Sequence, residues 1–417
     1  MNIYQSYMYS YPHKTAYREF RPPLPIAPYI EDLKGKEGGL YFHIPFCTHK
    51  CGFCNLFSCT HSKELLEQYL NAMQRQTSQL LALMDNISFS SFIIGGGTPL
   101  ILNEHQIDRL WTMASGFGSP SDIHISIETS PEFSDIHLLK HLKDMGVDRL
   151  SIGIQSFHDQ ELKKVRRMIG ASQCRQALDN IKAVNFQDVN IDLIYGIEGQ
   201  TVQSFMQSMS VALSYEPTEL FLYPLYVREG TGIKNRASDD DSRKIYETAR
   251  DELVKSGFTQ TSMRRFIRNK ICDYEFSCGD ELMISCGCGG RSYIGDLHCS
   301  DFYAVHPRRI REIIGNYIQR NDFTTAFNGY ILNKDEKMRR FVIKNLMYYR
   351  GIDKKEFSNR FGTELSFDIF GHLADEGYIS DNDDFICLTP LGMTYSDYIG
   401  QLFISTEVRN KQVTFRE

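Results

Sequence analysis

Tyr41-Phe42-His43-Ile44-Pro45-Phe46-Cys47-Thr48-His49-Lys50-Cys51-Gly52-Phe53-Cys54-Asn55 is the stretch on which the reading of this chain turns. A short apolar run ends in three thiols spaced CxxxCxxC, close enough for one loop to wrap a metal cluster. A [4Fe–4S] cubane normally takes four thiolates, so three leave one iron open to a substrate or cofactor. Structural zinc is the competing reading. It wants four tetrahedral ligands, and Cys59 could be the fourth.

Working outward, short β-rich runs alternate with amphipathic segments. The strands are predicted at Leu40–Ile44, Ser91–Ile94, Ile123–Thr129, Arg149–Gln155, Val189–Tyr195 and Glu219–Tyr226. Helical periodicity falls between them at Lys63–Met84, Glu104–Met113, Ser134–Met145, Gln173–Val184 and Val202–Leu213. Such alternation makes βαβ units and a parallel sheet. The expected fold class is α/β, a partial (β/α)6 TIM-like barrel whose site lies at the C-terminal ends of the strands. The three cysteines follow the first strand and fall at that end.

The flanks read differently. Residues 1–39 contain the proline-rich Arg21–Pro28 and read as an extended arm. The barrel is expected over 40–235 and an extension with a Gly/Cys-rich segment over 236–330. A helical, winged-helix-like domain is expected over 331–417, with helices Asp335–Tyr349, Lys354–Arg360 and Phe367–Glu376 before a hairpin Tyr378–Leu388. Residues 335–400 hold 8 Lys/Arg against 12 Asp/Glu, which argues against a DNA-binding wing.

With 417 residues, the chain is too long for one ordinary core. Its net charge of −6 gives no reason to expect nucleic acid as a partner. There is no apolar window long enough to span a membrane and no signal-peptide pattern at Met1, so a cytoplasmic protein is expected. Eleven cysteines in such a setting point to metal or catalysis rather than a disulfide framework.

Polar residues interrupt the apolar strands. Gly95-Gly96-Gly97-Thr98-Pro99 follows the second strand, where glycines let backbone approach a ligand closely. Glu128 closes the third strand, Gln155 the fourth, and Asp192 sits in the fifth. A polar group in an apolar strand is costly unless partnered, so three on successive strands point to one shared ligand. Arg167 could pair with a carboxylate. Cys272, Cys278, Cys286, Cys288 and Cys299 form a second cysteine group, but their spacing matches no standard ligand set.

Together these motifs resemble radical S-adenosylmethionine (SAM) enzymes, specifically the oxygen-independent coproporphyrinogen III oxidase (HemN-like) family. The match runs through Tyr41–Cys54, Gly95–Pro99, Glu128, Gly153–Phe157, Arg167 and Asn190–Gly196, and extends over roughly residues 9–400. The resemblance implies a [4Fe–4S] cluster on Cys47, Cys51 and Cys54 and one or two SAM molecules. Reductive cleavage of SAM would yield a 5′-deoxyadenosyl radical that takes hydrogen from a tetrapyrrole-like substrate of porphyrin biosynthesis. By the same resemblance Tyr41 lies near the sulfonium and Phe53 near adenine. Gly96, Gly97 and Thr98 hold the methionyl amino group, and Glu128, Gln155, Arg167 and Asp192 hold the ribose and methionyl carboxylate. Tyr41 and Gln155 would be the residues nearest the chemistry. A flavodoxin or ferredoxin-type electron donor and a monomeric state are also implied.

Two departures mark a divergent subgroup. Leu56 stands where the oxidase carries a further cysteine, and Cys272–Cys278 stands where heme-chaperone members carry His-Asn-x-x-Tyr-Trp. A two-SAM radical C-methyltransferase or cyclopropanase and a heme-binding chaperone of the same fold therefore stand as alternatives. A zinc-stapled regulator is the remaining rival.

Overall fold

Strand β2, Glu37–Ile44, lies inside a run of parallel strands. In the computed structural model, which describes residues 4, 8, 10–84, 87–118, 123–228, 230–268 and 282–417, the main sheet has thirteen strands. In chain order they are β1 Arg18–Pro25, β2, β3 Ser88–Gly96, β4 His124–Thr129, β5 Arg149–Gln155, β6 Asp188–Tyr195 and β7 Glu219–Pro224. Then come β8 Phe258–Gln260, β9 Arg265–Arg268, β10 Leu282–Cys286, β11 Ser292–Ile294, β12 Leu297–Cys299 and β13 Thr325–Ile331. Their order in space is β1-β13-β12-β11-β10-β2-β3-β4-β5-β6-β7-β9-β8.

The six expected strands, β2 to β7, pair in parallel register one after another. Helices Lys63–Leu81, Glu104–Ala114, Ile136–Asp144, Ala171–Val184 and Val202–Ser214 connect or flank them. The α/β partial barrel is therefore present, as an open sheet. A side-chain period of two sorts its faces. Ile125, Ile127, Leu150, Ile152, Ile191, Leu193, Leu220 and Leu222 are at most 1% exposed and form the apolar layer beneath the helices. The alternate positions, Ser126, Glu128, Ser151, Gly153, Asn190 and Asp192, face a polar interior. Asn190 donates there to Ser151 Oγ at 2.8 Å and to Asp192 Oδ1 at 2.7 Å.

The floor of that interior is a buried ion group. Arg149 donates twice to Glu219 Oε2, at 3.0 and 2.8 Å, and once to Ser126 Oγ at 3.0 Å, while Arg265 donates to Glu219 Oε1 at 2.5 Å. Burial works to raise the Glu219 carboxyl, but the two guanidinium groups hold it below its ordinary range.

Three features add to the expectations. The N-terminal arm is extended over Arg18–Pro25, where it forms an edge strand antiparallel to β13. Its register breaks between Glu19 and Leu24, where Pro22 and Pro23 have no N–H to give. Strand β10 adds a seventh parallel strand beside β2. A short helix, Asp159–Lys164, follows β5 and leads into Arg166 and Arg167.

The C-terminal part has its own core, built on Phe341, Leu346, Phe357, Phe370, Ile386 and Phe403. Tyr11, Ala16 and Tyr17 from the start of the chain pack into it. Its wing is a three-stranded sheet of β14 Ile352–Asp353, β15 Ile379–Asp381 and β16 Phe385–Leu388, in the order β14-β16-β15. Among the described residues no helix is long and apolar enough to cross a membrane.

Candidate active site

The cysteine loop leaves the C-terminal end of β2 and is pinned on three sides. Gly52 N donates to Val165 O at 2.9 Å, at the end of the short helix after β5. Gly52 O accepts from Gly232 N at 2.7 Å and Ile233 N at 3.1 Å. Thr98 N donates to Phe46 O at 2.8 Å. The glycine loop after β3 is shaped by this contact. Gly96 has φ +124, and a Cβ on Gly97 would lie 2.5 Å from Phe46 O and 2.9 Å from Cys47 Sγ.

Each thiol has a polar neighbour of its own. Thr98 Oγ1 donates to Cys47 Sγ at 3.6 Å, and Arg167 Nη1 donates to Cys51 Sγ at 3.4 Å. Cys54 Sγ lies 3.8 Å from Ser58 Oγ. Burial pushes the Cys47 thiol up to about 11, against the Thr98 bond, and raises Cys51 against the pull of Arg167. Hydrogen bonds onto sulfur are the contacts that cluster thiolates take. Three thiols on one loop, each with a polar neighbour and no side chain at Gly97 to crowd them, fit a three-cysteine cluster site. Among the described residues no group of three or more His, Cys, Asp or Glu is drawn together as a single-ion site would need.

The loop forms one wall of a cavity of about 330 Å³. Cys47, Cys51, Phe53 and Cys54 line it, with Gly97, Thr98, Glu128, Gln155, Arg167 and Asp192 opposite. The thiols and Phe53 follow β2, Arg167 follows the short helix after β5, and the others come from β3 to β6, so the polar residues of four strands converge with the thiols on one space. Glu128 Oε2 accepts from Gly96 N at 3.1 Å, and burial raises its carboxyl. Burial pushes Asp192 up to about 7, with the Asn190 amide opposing and the Glu128 charge adding to the rise. Gln155 has φ +75, in the left-handed region, where the β5–β6 register slips between Gly153 and Gln155. Arg167 Nη2 donates to Gly153 O, tying the arginine to the same bend.

Tyr41 and Gly96 are not among the residues lining the cavity. Tyr41 donates its hydroxyl to His43 Nδ1 at 3.0 Å, and His43 Nε2 donates to Phe57 O at 3.0 Å. Burial lowers the imidazole to about 3, so His43 is a neutral packing residue. Gly96 holds Glu128 through its N–H rather than facing the space itself.

Sequence reasoning missed the far wall: Tyr223, Pro224, Leu225 and Tyr226, at the end of β7. Period-two placement of Tyr223 would have found one of them. Of the second cysteine group, Cys286 and Cys288 are fully buried in the main core and Cys299 packs against it. Cys288 sits in a tight turn between Gly287, φ +94, and Gly289, φ +102. Cys272 and Cys278 lie outside the described residues.

Comparison with known proteins agrees with this geometry. The model of the Radical SAM superfamily matches residues 41–212, and that of the HemN C-terminal domain matches 332–395. The heme chaperone HemW of Bacillus subtilis (strain 168) is 24% identical, over 87% of this chain and 98% of its own length. The oxygen-independent coproporphyrinogen III oxidase of Escherichia coli (strain K12) is 27% identical, over 94% of this chain and 92% of its own. The solved structure of coproporphyrinogen III oxidase (HemN) from Escherichia coli aligns with a TM-score of 0.80 at 24% identity, covering 97% of this chain and 99% of that one. At that identity the structural match speaks for the fold. The match to the superfamily model implies a [4Fe–4S] cluster and SAM. A cysteine loop after β2, a glycine loop after β3 and a wing after the barrel thus occur together: the chain resembles radical SAM enzymes of the branch whose barrel is followed by a HemN C-terminal domain.

Proposed function

We propose that this chain is a radical SAM enzyme acting on a tetrapyrrole-like substrate, in the manner of a coproporphyrinogen III oxidase. The observation that carries the reading is the single cavity shared by three thiols and the polar residues of the next four strands. When bound, cluster and SAM supply one-electron cleavage of the sulfonium carbon–sulfur bond, giving methionine and a 5′-deoxyadenosyl radical that becomes 5′-deoxyadenosine on taking a hydrogen atom from the substrate.

The chain's own residues orient and enclose. Cys47, Cys51 and Cys54 are the iron ligands. Gly97 and Thr98 present backbone beside Cys47, where an amino acid moiety meets no side-chain obstruction. Glu128 and Asp192 offer carboxylate acceptors, Gln155 an amide and Arg167 a cation. Phe53 offers an aromatic face. The substrate reading draws on the relatives and on a cation beside the far wall. Arg228 stacks over the Tyr226 ring, 5.6 Å from its centroid. Carboxylates on a substrate would be attracted to that guanidinium.

A heme-carrying role is the second reading, favoured by the near-complete coverage of HemW. One experiment separates the two. The chain is reconstituted anaerobically with iron and sulfide, then given SAM, dithionite and candidate porphyrins. Formation of 5′-deoxyadenosine with a changed porphyrin supports the enzyme. S-adenosylhomocysteine beside it would indicate a second, methyl-donating SAM. Tight heme binding without SAM turnover would favour the carrier.

A further inference from the structure

A second cavity, of about 630 Å³, lies between the barrel and the C-terminal part. The helix Lys334–Leu346 forms one side of it with Lys334, Lys337, Arg340 and Lys344. These recur at three- and four-residue spacing, so they share a face. Lys36, just before β2, and Arg360, in the helix Lys354–Phe361, bring the cations to six. Two carboxylates, Asp296 and Glu356, line the same space. Cations repeated along one helix face repel one another, and two acids do not balance six bases.

The geometry is also partly fixed. Arg340 is 9% exposed, lies 4.5 Å over the Tyr293 ring centroid, and donates to Tyr11 O at 2.8 Å. Lys337 Nζ pairs with Asp296 at 3.1 Å. The cavity has an apolar side as well, from the buried Leu33, Leu332, Phe341 and Phe361. A space of this size, part apolar and strongly basic, has the chemistry of a small-molecule site. It is separate from the cysteine cavity. Lys36 precedes β2 and Cys47 follows it, and eight strand residues span about 25 Å.

We infer that this cavity binds a small polyanion: a molecule with two or more carboxylate or phosphate groups on an apolar body. Its anionic groups meet the lysine and arginine row, and its body covers Phe341 and Phe361. Because Lys36 and Leu33 come from the barrel side and the helix from the C-terminal part, the ligand bridges the two.

The test is calorimetry on the full chain with three probes: coproporphyrin III (carboxylates on an apolar macrocycle), ATP (phosphates on an aromatic base) and tripolyphosphate (charge alone). The expected result is that coproporphyrin III or ATP binds, tripolyphosphate binds more weakly, and affinity falls on going to about 0.15 M salt. Which of the first two binds tells carboxylate from phosphate. The variant Lys344→Glu/Arg360→Glu should lose about tenfold or more. Asp192→Ala, in the other cavity, should leave this binding unchanged. If the double variant fails to fold, the exposed Lys36→Ala takes its place, with a loss of about threefold. The proposal is overturned by any of three results. One is no binding of any probe at about millimolar concentration. The second is undiminished binding by a folded charge-reversal variant. The third is loss of binding in Asp192→Ala, which would move the probe to the cysteine cavity.

Discussion

The Tyr226 hydroxyl, in the wall of the cysteine cavity, donates to Asp397 Oδ2 in the C-terminal part of the chain. Arg264 donates to the same carboxylate oxygen and, at 2.8 Å, to Tyr226 Oη. The other oxygen, Asp397 Oδ1, accepts from Met8 N at 3.0 Å. Asp397 is 1% exposed. One buried carboxylate thus holds the end of β7 against both termini of the chain.

Asp397→Ala should therefore be strongly destabilising. It leaves the buried Arg264 guanidinium without its carboxylate, a loss of about 3–5 kcal/mol. Tyr226→Phe removes one hydrogen bond and should lose about 1 kcal/mol. Urea unfolding of the two variants checks this. Equal midpoints for Asp397→Ala and the parent chain would show that the triad does not hold the wall.

The cluster ligands make the second prediction. Cys47→Ala, Cys51→Ala or Cys54→Ala should abolish iron loading after anaerobic reconstitution. Cys59→Ala should leave it largely intact. Cys59 is buried, its N–H donates to Pro45 O at 2.9 Å, and it does not line the cavity. Iron content and visible absorbance report the outcome. Loss of the cluster in Cys59→Ala would mean a fourth thiol is involved.

What could be read in the sequence was local. The apolar runs of β3 to β7 declare themselves by period, and CxxxCxxC declares itself by spacing. Glu128, Gln155 and Asp192 stood out as polar groups in strands that should have been apolar, and the cavity gathers all three. What could not be read depended on distant partners. Leu282–Cys286 is a short run whose neighbour, β2, lies some 240 residues earlier in the chain, and no local signal announces that pairing. Pro22 and Pro23 argued against a strand, and only an edge position tolerates them. The Tyr226–Asp397 bond joins residues 171 positions apart. Tyr41 carries the family motif, yet its hydroxyl is spent on His43.

Asp192 makes a pH prediction. Burial raises its carboxyl from 3.8 to about 7. The folded chain then holds a proton that the unfolded chain has released, so this group lowers stability as pH rises from about 4 to about 7. Asp192→Asn keeps the shape and removes the titration. Without SAM, the variant should gain melting temperature over the parent chain, with a larger gain at about pH 8 than at about pH 5. A gain independent of pH would show that the carboxylate is not held out of water.

Gln155 joins backbone strain to the site. A glutamine at φ +75 pays about 1 kcal/mol for a conformation that glycine adopts freely. Its side chain is held in the cavity, with Nε2 2.7 Å from where a Cβ on Gly153 would stand. Two substitutions separate backbone from side chain. Gln155→Gly relieves the strain and removes the amide, so it should be at least as stable as the parent, by up to about 1 kcal/mol. Gln155→Ala keeps the strain and should be the less stable of the two. Both remove one polar contact to SAM, for a loss of about 1–3 kcal/mol, or about 5- to 150-fold in affinity. Urea midpoints and SAM calorimetry on the reconstituted protein measure the two effects separately. Parent-like SAM affinity in both variants would take Gln155 out of the site, and a glycine variant no more stable than alanine would show that the bend carries no strain.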